Sequence, residues 1–208
     1  MYSKRSIAVI VGVLISLASG ALFVKNKSTG VQVANISTTP KQILLVPLGS
    51  SVSRSMVDEA YQRIRSIIPG AQLLQREPMP QGAYYKPRNR HRADSLIHIL
   101  SRRAKPHQIY LGLTNQDIST TKGSYADWGV MGLGFCPGRA AVASSFRLKN
   151  KQSFWKVAIH ELGHTAGLPH CPTPSCLMRD AKGGDPTAEE KAFCNKCKTV
   201  LIRQGWRL

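Results

Sequence analysis

Acidic residues are scarce in this chain. Only 11 Asp and Glu stand against 29 Lys and Arg in 208 residues, giving a formal charge of +18. Much of the excess arises from that shortage, because no long basic tract supplies it. Aromatic residues make up only 7%, yet 42% of the chain is hydrophobic and spread along its length. That excludes a disordered polyelectrolyte and supports a buried core. No internal repeat and no low-complexity tract is present. The length suits one domain, or one domain with a small appendage.

A surface this basic attracts acidic polymers and anionic surfaces. The densest patch runs over 86–105, where Arg88, Arg90, Arg92, Arg102 and Arg103 lie between Lys86 and Lys105 and only Asp94 opposes them. No recognisable nucleic-acid module accompanies the patch, so nucleic acid is not expected as a specific partner.

The first residues have their own pattern. Lys4 and Arg5 precede an apolar run over 7–17, and Ala18, Ser19, Gly20 and Ala21 follow. This is the layout of a secretory signal peptide cleaved near Gly20 or Ala21. Leu22, Phe23 and Val24 continue the run, so 7–24 is also long enough to cross a bilayer as a retained anchor. Either reading implies export, to a periplasmic or extracellular location or to a membrane-anchored one with the folded domain outside. Membrane association would then run through residues 7–24. No cysteine lies near the cleavage region, so a bacterial lipoprotein signal is not supported. The expected division is 1–24 signal or anchor, 25–41 polar linker and 42–208 folded domain.

Within that domain the order reads strand, helix, strand, helix, strand. Residues 43–46 form a short apolar run, and 53–68 place Met56, Ala60, Ile64 and Ile67 at helical spacing. A strand is expected over 71–74, a helix over 94–103 through Leu96, Ile97 and Leu100, and a strand over 108–114. Such alternation predicts a layered α/β domain. Residues 119–138 read as a turn-rich stretch. A strand is expected over 139–148 and a helix over 152–165. A last helix is expected over 186–202, with Asp185 as its cap and Pro186 as its first residue.

The chemistry concentrates in one segment: His160-Glu161-Leu162-Gly163-His164-Thr165-Ala166-Gly167-Leu168-Pro169-His170. On a helix, His160 and His164 share a face, so both imidazoles can reach one zinc ion. Glu161 projects beside them, where a carboxylate can take a proton from the attacking water. Gly167 lets the chain turn sharply, so that His170 can come back to the metal. Three protein ligands leave a fourth position open, the mark of a catalytic site. His91, His98 and His107 have no ligand spacing and read as surface residues.

Cysteines are absent before Cys136, so no amino-terminal segment carries a thiol to block the metal. Cys171, Cys176, Cys194 and Cys197 form two pairs with near zinc-ligand spacing, and four thiolates can hold a structural zinc. Two disulfides are the competing reading, since an exported compartment is oxidising. Cys136 is left over and reads as a buried free thiol.

HELGHTAGLPHCPTPSCLM followed by FCNKC resembles the archaemetzincin family of metzincin-type zinc metallopeptidases. A looser resemblance extends upstream through GAYYKPRNRHRA, IYLGLTNQDI and GRAAVASSFRL. The resemblance implies an α/β (α+β) domain, with a mixed twisted sheet packed against helices and a cysteine-rich, zinc-clipped C-terminal subdomain. It implies two zinc ions per chain: a catalytic one on His160, His164 and His170, and a structural one on Cys171, Cys176, Cys194 and Cys197. Glu161 would be the general base and Met178 the methionine turn beneath the ligands. Residues 139–148 would be the edge strand beside the cleft, and a peptide or protein the substrate, either trimmed at its amino terminus or cut internally. A monomer is expected. A catalytically weak two-zinc scaffold and a basic nucleic-acid-binding zinc module are the alternatives.

Overall fold

An unbroken apolar run suits a strand covered on both faces, and Ile43, Leu44, Leu45 and Val46 form such a strand. The computed structural model describes residues 41–208. The run belongs to β1 (Gln42–Pro47), followed by α1 (Arg54–Ile67), β2 (Gln72–Leu73), β3 (Tyr84–Tyr85) and β4 (Arg90–Arg92). Then come α2 (Ala93–Arg103), β5 (Gln108–Thr114), β6 (Ile118–Lys122), β7 (Tyr125–Val130) and β8 (Gly132–Gly134). The chain ends with β9 (Ala140–Ser144), α3 (Phe154–Thr165) and α4 (Asn195–Arg203).

The larger sheet has the strand order β2-β1-β5-β9-β8. Its first four strands run parallel, and β8 pairs antiparallel at one edge. Side chains alternate between two cores. Ile43 and Leu45 of β1, Leu111 and Leu113 of β5, and Ala141 and Ala143 of β9 pack with α1 and α3. Val46, Ala140 and Val142 pack with α2 on the opposite face. The result is the expected mixed sheet between helices.

A second sheet, in the order β3-β4-β6-β7, was not expected from the sequence. Residues 119–138 are therefore not simply turns, since β6 and β7 form a hairpin with Thr120 opposite Trp128 and Ser119 opposite Gly129. β6 is polar at every position after Ile118, and the alternation of Ala126, Trp128 and Val130 in β7 is broken up by Asp127 and Gly129, which read as turn residues. The basic segment helps build this sheet. Arg90 pairs with Asp117 at 3.2 Å and with Asp127 at 3.4 Å, and Arg92 reaches Asp94 and Asp127. Arg103 meets Glu77 at 2.6 Å. Much of the patch is thus neutralised by acids distant in sequence, which further weakens the nucleic-acid reading.

Three expectations about elements and placement need correction. The strand over 139–148 shortens to β9 and is not an edge, because β5 and β8 flank it; the edge strand is β8. The last helix starts at Asn195, nine residues later than expected. Asp185 caps no helix and instead accepts hydrogen bonds from the Thr187 and Lys149 backbone N–H groups. The chain beyond is held in turns, and an isolated bridge joins Cys176 to Ala192.

The third correction concerns the membrane. A span needs about 20 apolar helical residues, whereas the longest helix among the described residues, α1, has 14. No helix among the described residues is long and apolar enough to cross a membrane. Residues 1–24, which carried the signal-or-anchor expectation, lie outside the described part. Membrane association through 7–24 and an exported or anchored location are therefore withdrawn and play no part in the functional assignment.

Leu111 is fully buried at the middle of β5. Leu111→Ala should destabilise the protein by about 2–5 kcal/mol, read as a lower urea midpoint with an unchanged slope. A loss below about 1 kcal/mol would contradict the placement of this side chain at the centre of the core.

Candidate active site and metal centres

Helix α3 is largely apolar, and it packs Phe154, Val157, Ala158, Ile159 and Leu162 against the sheet. That contact fixes its rotation, so His160 and His164 face the opposite way. The helix stops at Ala166. Gly167 takes φ +89, a left-handed conformation that glycine adopts at little cost. Its N–H donates to His164 O at 2.7 Å, and the Leu168 N–H donates to Gly163 O at 3.1 Å. This crossed pair is a Schellman cap, and it reverses the chain toward His170.

The reversal brings the three rings together. Ring centroids are 4.7 Å apart for His160 and His164, 4.8 Å for His164 and His170, and 5.4 Å for His160 and His170. One ring nitrogen from each can be chosen so that all three lie within 4.8 Å of one another. His160 Nδ1 sits 2.7 Å from Leu177 O, and His164 Nδ1 sits 2.7 Å from Leu168 O. A carbonyl oxygen can only accept, so each Nδ1 carries the proton and each Nε2 presents a lone pair. Burial pushes the His160 pKa down to about 3 and lowers that of His164 as well. Both rings are therefore neutral ligands at pH 7. His170 is more exposed, and its Nδ1 lies 4.0 Å from Asp180 Oδ2.

Glu161 is buried between α3 and β8 and lines the same cavity. Burial pushes its carboxyl up to about 8, and a dication on the neighbouring histidines acts in the opposite direction. The strand can pass this close because it is Gly132-Leu133-Gly134. A Cβ on Gly132 would strike the Glu161 carboxylate, and one on Gly134 would lie 2.7 Å from Glu161 O. Met178 is fully buried with its sulfur against Gly163, directly beneath the two helical histidines.

The four cysteines form a second cluster, and their sulfurs also lie within 4.8 Å of one another. All are free thiols. Cys171 and Cys194 are 3.7 Å apart, too far for a disulfide at about 2.05 Å. The spacing suits two corners of a tetrahedron with metal–sulfur bonds of about 2.3 Å. The Met178 and Cys194 backbone N–H groups point at Cys176 Sγ, at 3.5 and 3.3 Å. Cys194 precedes α4, and the Cys197 N–H in its first turn helps lower the Cys194 thiol to about 7. The donor sets thus fit two zinc ions, one catalytic on three histidines and one structural on four cysteines.

Some features escaped the sequence. The carbonyls of Leu168 and Leu177 leave no trace in residue identity. The pair Gly132 and Gly134 did leave one, since glycines two apart share one face of a strand. Cys136 is exposed, not buried, and its thiol donates to Leu168 O at 3.4 Å. His91 is half-buried and packs at a tilt against Tyr84, while His98 and His107 are exposed, and none belongs to the cluster.

Comparison with known proteins agrees with this geometry. Residues 54–203 match Peptidase family M54. The archaemetzincin of Methanopyrus kandleri is 30% identical over 157 residues, covering 72% of this chain and 87% of that protein. The archaemetzincin of Haloarcula marismortui is 29% identical over 180 residues, covering 76% and 98%. The crystal structure of the M. kandleri archaemetzincin superposes with a TM-score of 0.68 at 27% identity, covering 82% of this chain and 98% of that one. That of the Archaeoglobus fulgidus archaemetzincin, complexed with malonate, gives 0.61 at 25% identity, covering 76% and 99%.

Metal analysis of the purified protein should find two zinc ions per chain. Cys176→Ser should bring the count to one and lower the melting temperature, because Cys176 receives two backbone N–H groups as well as serving as a ligand. A count of two in the variant would remove Cys176 from the cluster.

Proposed function

The chain belongs to peptidase family M54 and is a zinc metallopeptidase, and from that premise we propose that Glu161 is the general base of its peptide hydrolysis. The supporting observation is its position: it follows the ligand His160 on α3, and its carboxylate stands in the wall of the cavity into which the three rings converge. A zinc ion on His160, His164 and His170 would supply Lewis acidity, polarising the scissile carbonyl and acidifying the attacking water. Glu161 takes the proton of that water on a carboxylate oxygen and passes it to the departing amine. His160 and His164 keep their Nδ1 protons on backbone carbonyls throughout, so their rings do not turn away. Met178 and Gly167 act through packing and chain direction and touch no substrate.

The substrate in this reading is an extended peptide. Strand β8 is the edge of the larger sheet, and Met131, Gly132, Leu133 and Gly134 line the cavity. An edge strand presents unpaired backbone groups, and a peptide can add to it as a further strand. The same chemistry serves amino-terminal trimming and internal cleavage. The catalytic domain is taken to be 42–208.

Glu161→Gln keeps the shape of the side chain and removes the base. With zinc content verified, it should lower the rate of cleavage of a diverse peptide pool about 10²–10⁴-fold. The fragments released by the parent, read by mass spectrometry, separate terminal from internal cleavage. Undiminished turnover by a zinc-loaded variant would rule out the base role.

A further inference from the structure

The cavity at the three histidines has a volume of about 700 Å³ and extends past His160 to Val157 on α3 and to Pro186, Thr187 and Glu190. Lys156 clamps the loop on this side, its ammonium donating to the backbone carbonyls of Thr187 and Glu190. The Glu190 side chain is a different matter. The residue is only 5% exposed and lines the cavity, yet among the described residues no hydrogen bond or ion pair reaches its carboxylate.

The charged groups around it are engaged elsewhere. Arg179 meets Glu189 at 2.6 Å. Asp185 is taken up by the backbone N–H groups of Lys149 and Thr187 and by the Thr187 hydroxyl. Lys156 is held on the two carbonyls. The cavity-lining lysines, Lys122, Lys149 and Lys182, stand beside Asp180 or Asp185. Burial pushes the Glu190 carboxyl up to about 7, as happens where no donor compensates for lost water. Lys156 and Arg179 offset part of that burial by charge alone, so the carboxylate keeps its hydrogen-bonding capacity for a cation delivered into the cavity.

We propose that Glu190 is a specificity determinant of the catalytic cleft, whose carboxylate receives the cationic side chain of a Lys or Arg in the bound peptide. The proposal rests on the peptidase reading, and its test separates the two. Zinc-loaded Glu161→Gln protein would be titrated with pairs of amino-terminally acetylated pentapeptides that differ only in Lys against norleucine at one position. The same titrations would be run on Glu161→Gln/Glu190→Gln, after its zinc content and melting temperature are shown to match.

At one position the Lys peptide should bind about tenfold or more tightly than its norleucine partner, and Glu190→Gln should bring the ratio close to one. A ratio near one at every position, or a preference that survives Glu190→Gln, overturns the proposal. The pairs are also run unacetylated, and a Glu190-dependent gain from the free amino terminus that is equal for Lys and norleucine moves the contact to the amino terminus of the substrate and overturns the side-chain assignment. Cleavage of the same peptides by the parent protein is read separately. Cleavage without a Lys ratio defeats only the Glu190 assignment, and a Lys ratio without cleavage defeats only the peptidase reading.

Discussion

The site depends on how α3 ends. Two of the three ring ligands lie on its cavity-facing side, and the third lies six residues beyond the second, after the helix has stopped. The crossed hydrogen bonds from Gly167 and Leu168 stop the helix and reverse the chain in the same step. They also leave the Leu168 carbonyl free to hold His164. One left-handed residue thus delivers a ligand and orients another. A residue with a Cβ at φ +89 carries a cost of about 1–2 kcal/mol, and any relaxation of that strain displaces His170.

Rotation of α3 is the complementary constraint. The apolar face of the helix packs against β5 and β9, where Ala141 and Ala143 let it lie close. With that face fixed, Glu161 has nowhere to point except toward β8, and β8 is glycine at the two positions that would otherwise collide with it. The Glu161 side chain is therefore positioned by the sheet.

Patterns that follow one physical rule were legible in the sequence. The apolar run of β1, the helical spacing of α1 and α2 and the length of β5 came through because burial dictates them residue by residue. The metal ligands were legible because their spacing is a geometric requirement. The hairpin of β6 and β7 was not, since β6 is polar after Ile118 and the glycines and Asp127 around β7 read as turn residues. The final helix was misplaced for a different reason. Asp185-Pro186 is a sound local start signal, but hydrogen bonds to Lys149 and Thr187 and the Lys156 clamp compete for the same backbone and prevail. The edge position of β8 depends on strand order, which three short residues cannot announce.

Adjacency of His170 and Cys171 joins the two donor clusters into one mechanical unit. The Cys171 N–H donates to Met178 O at 2.7 Å, and Met178 lies under the helical histidines while its own N–H points at Cys176 Sγ. Any order that one metal imposes on this loop is order that the other no longer has to impose. A shift of the loop at one cluster therefore carries through Met178 to the other, and the path runs equally in both directions.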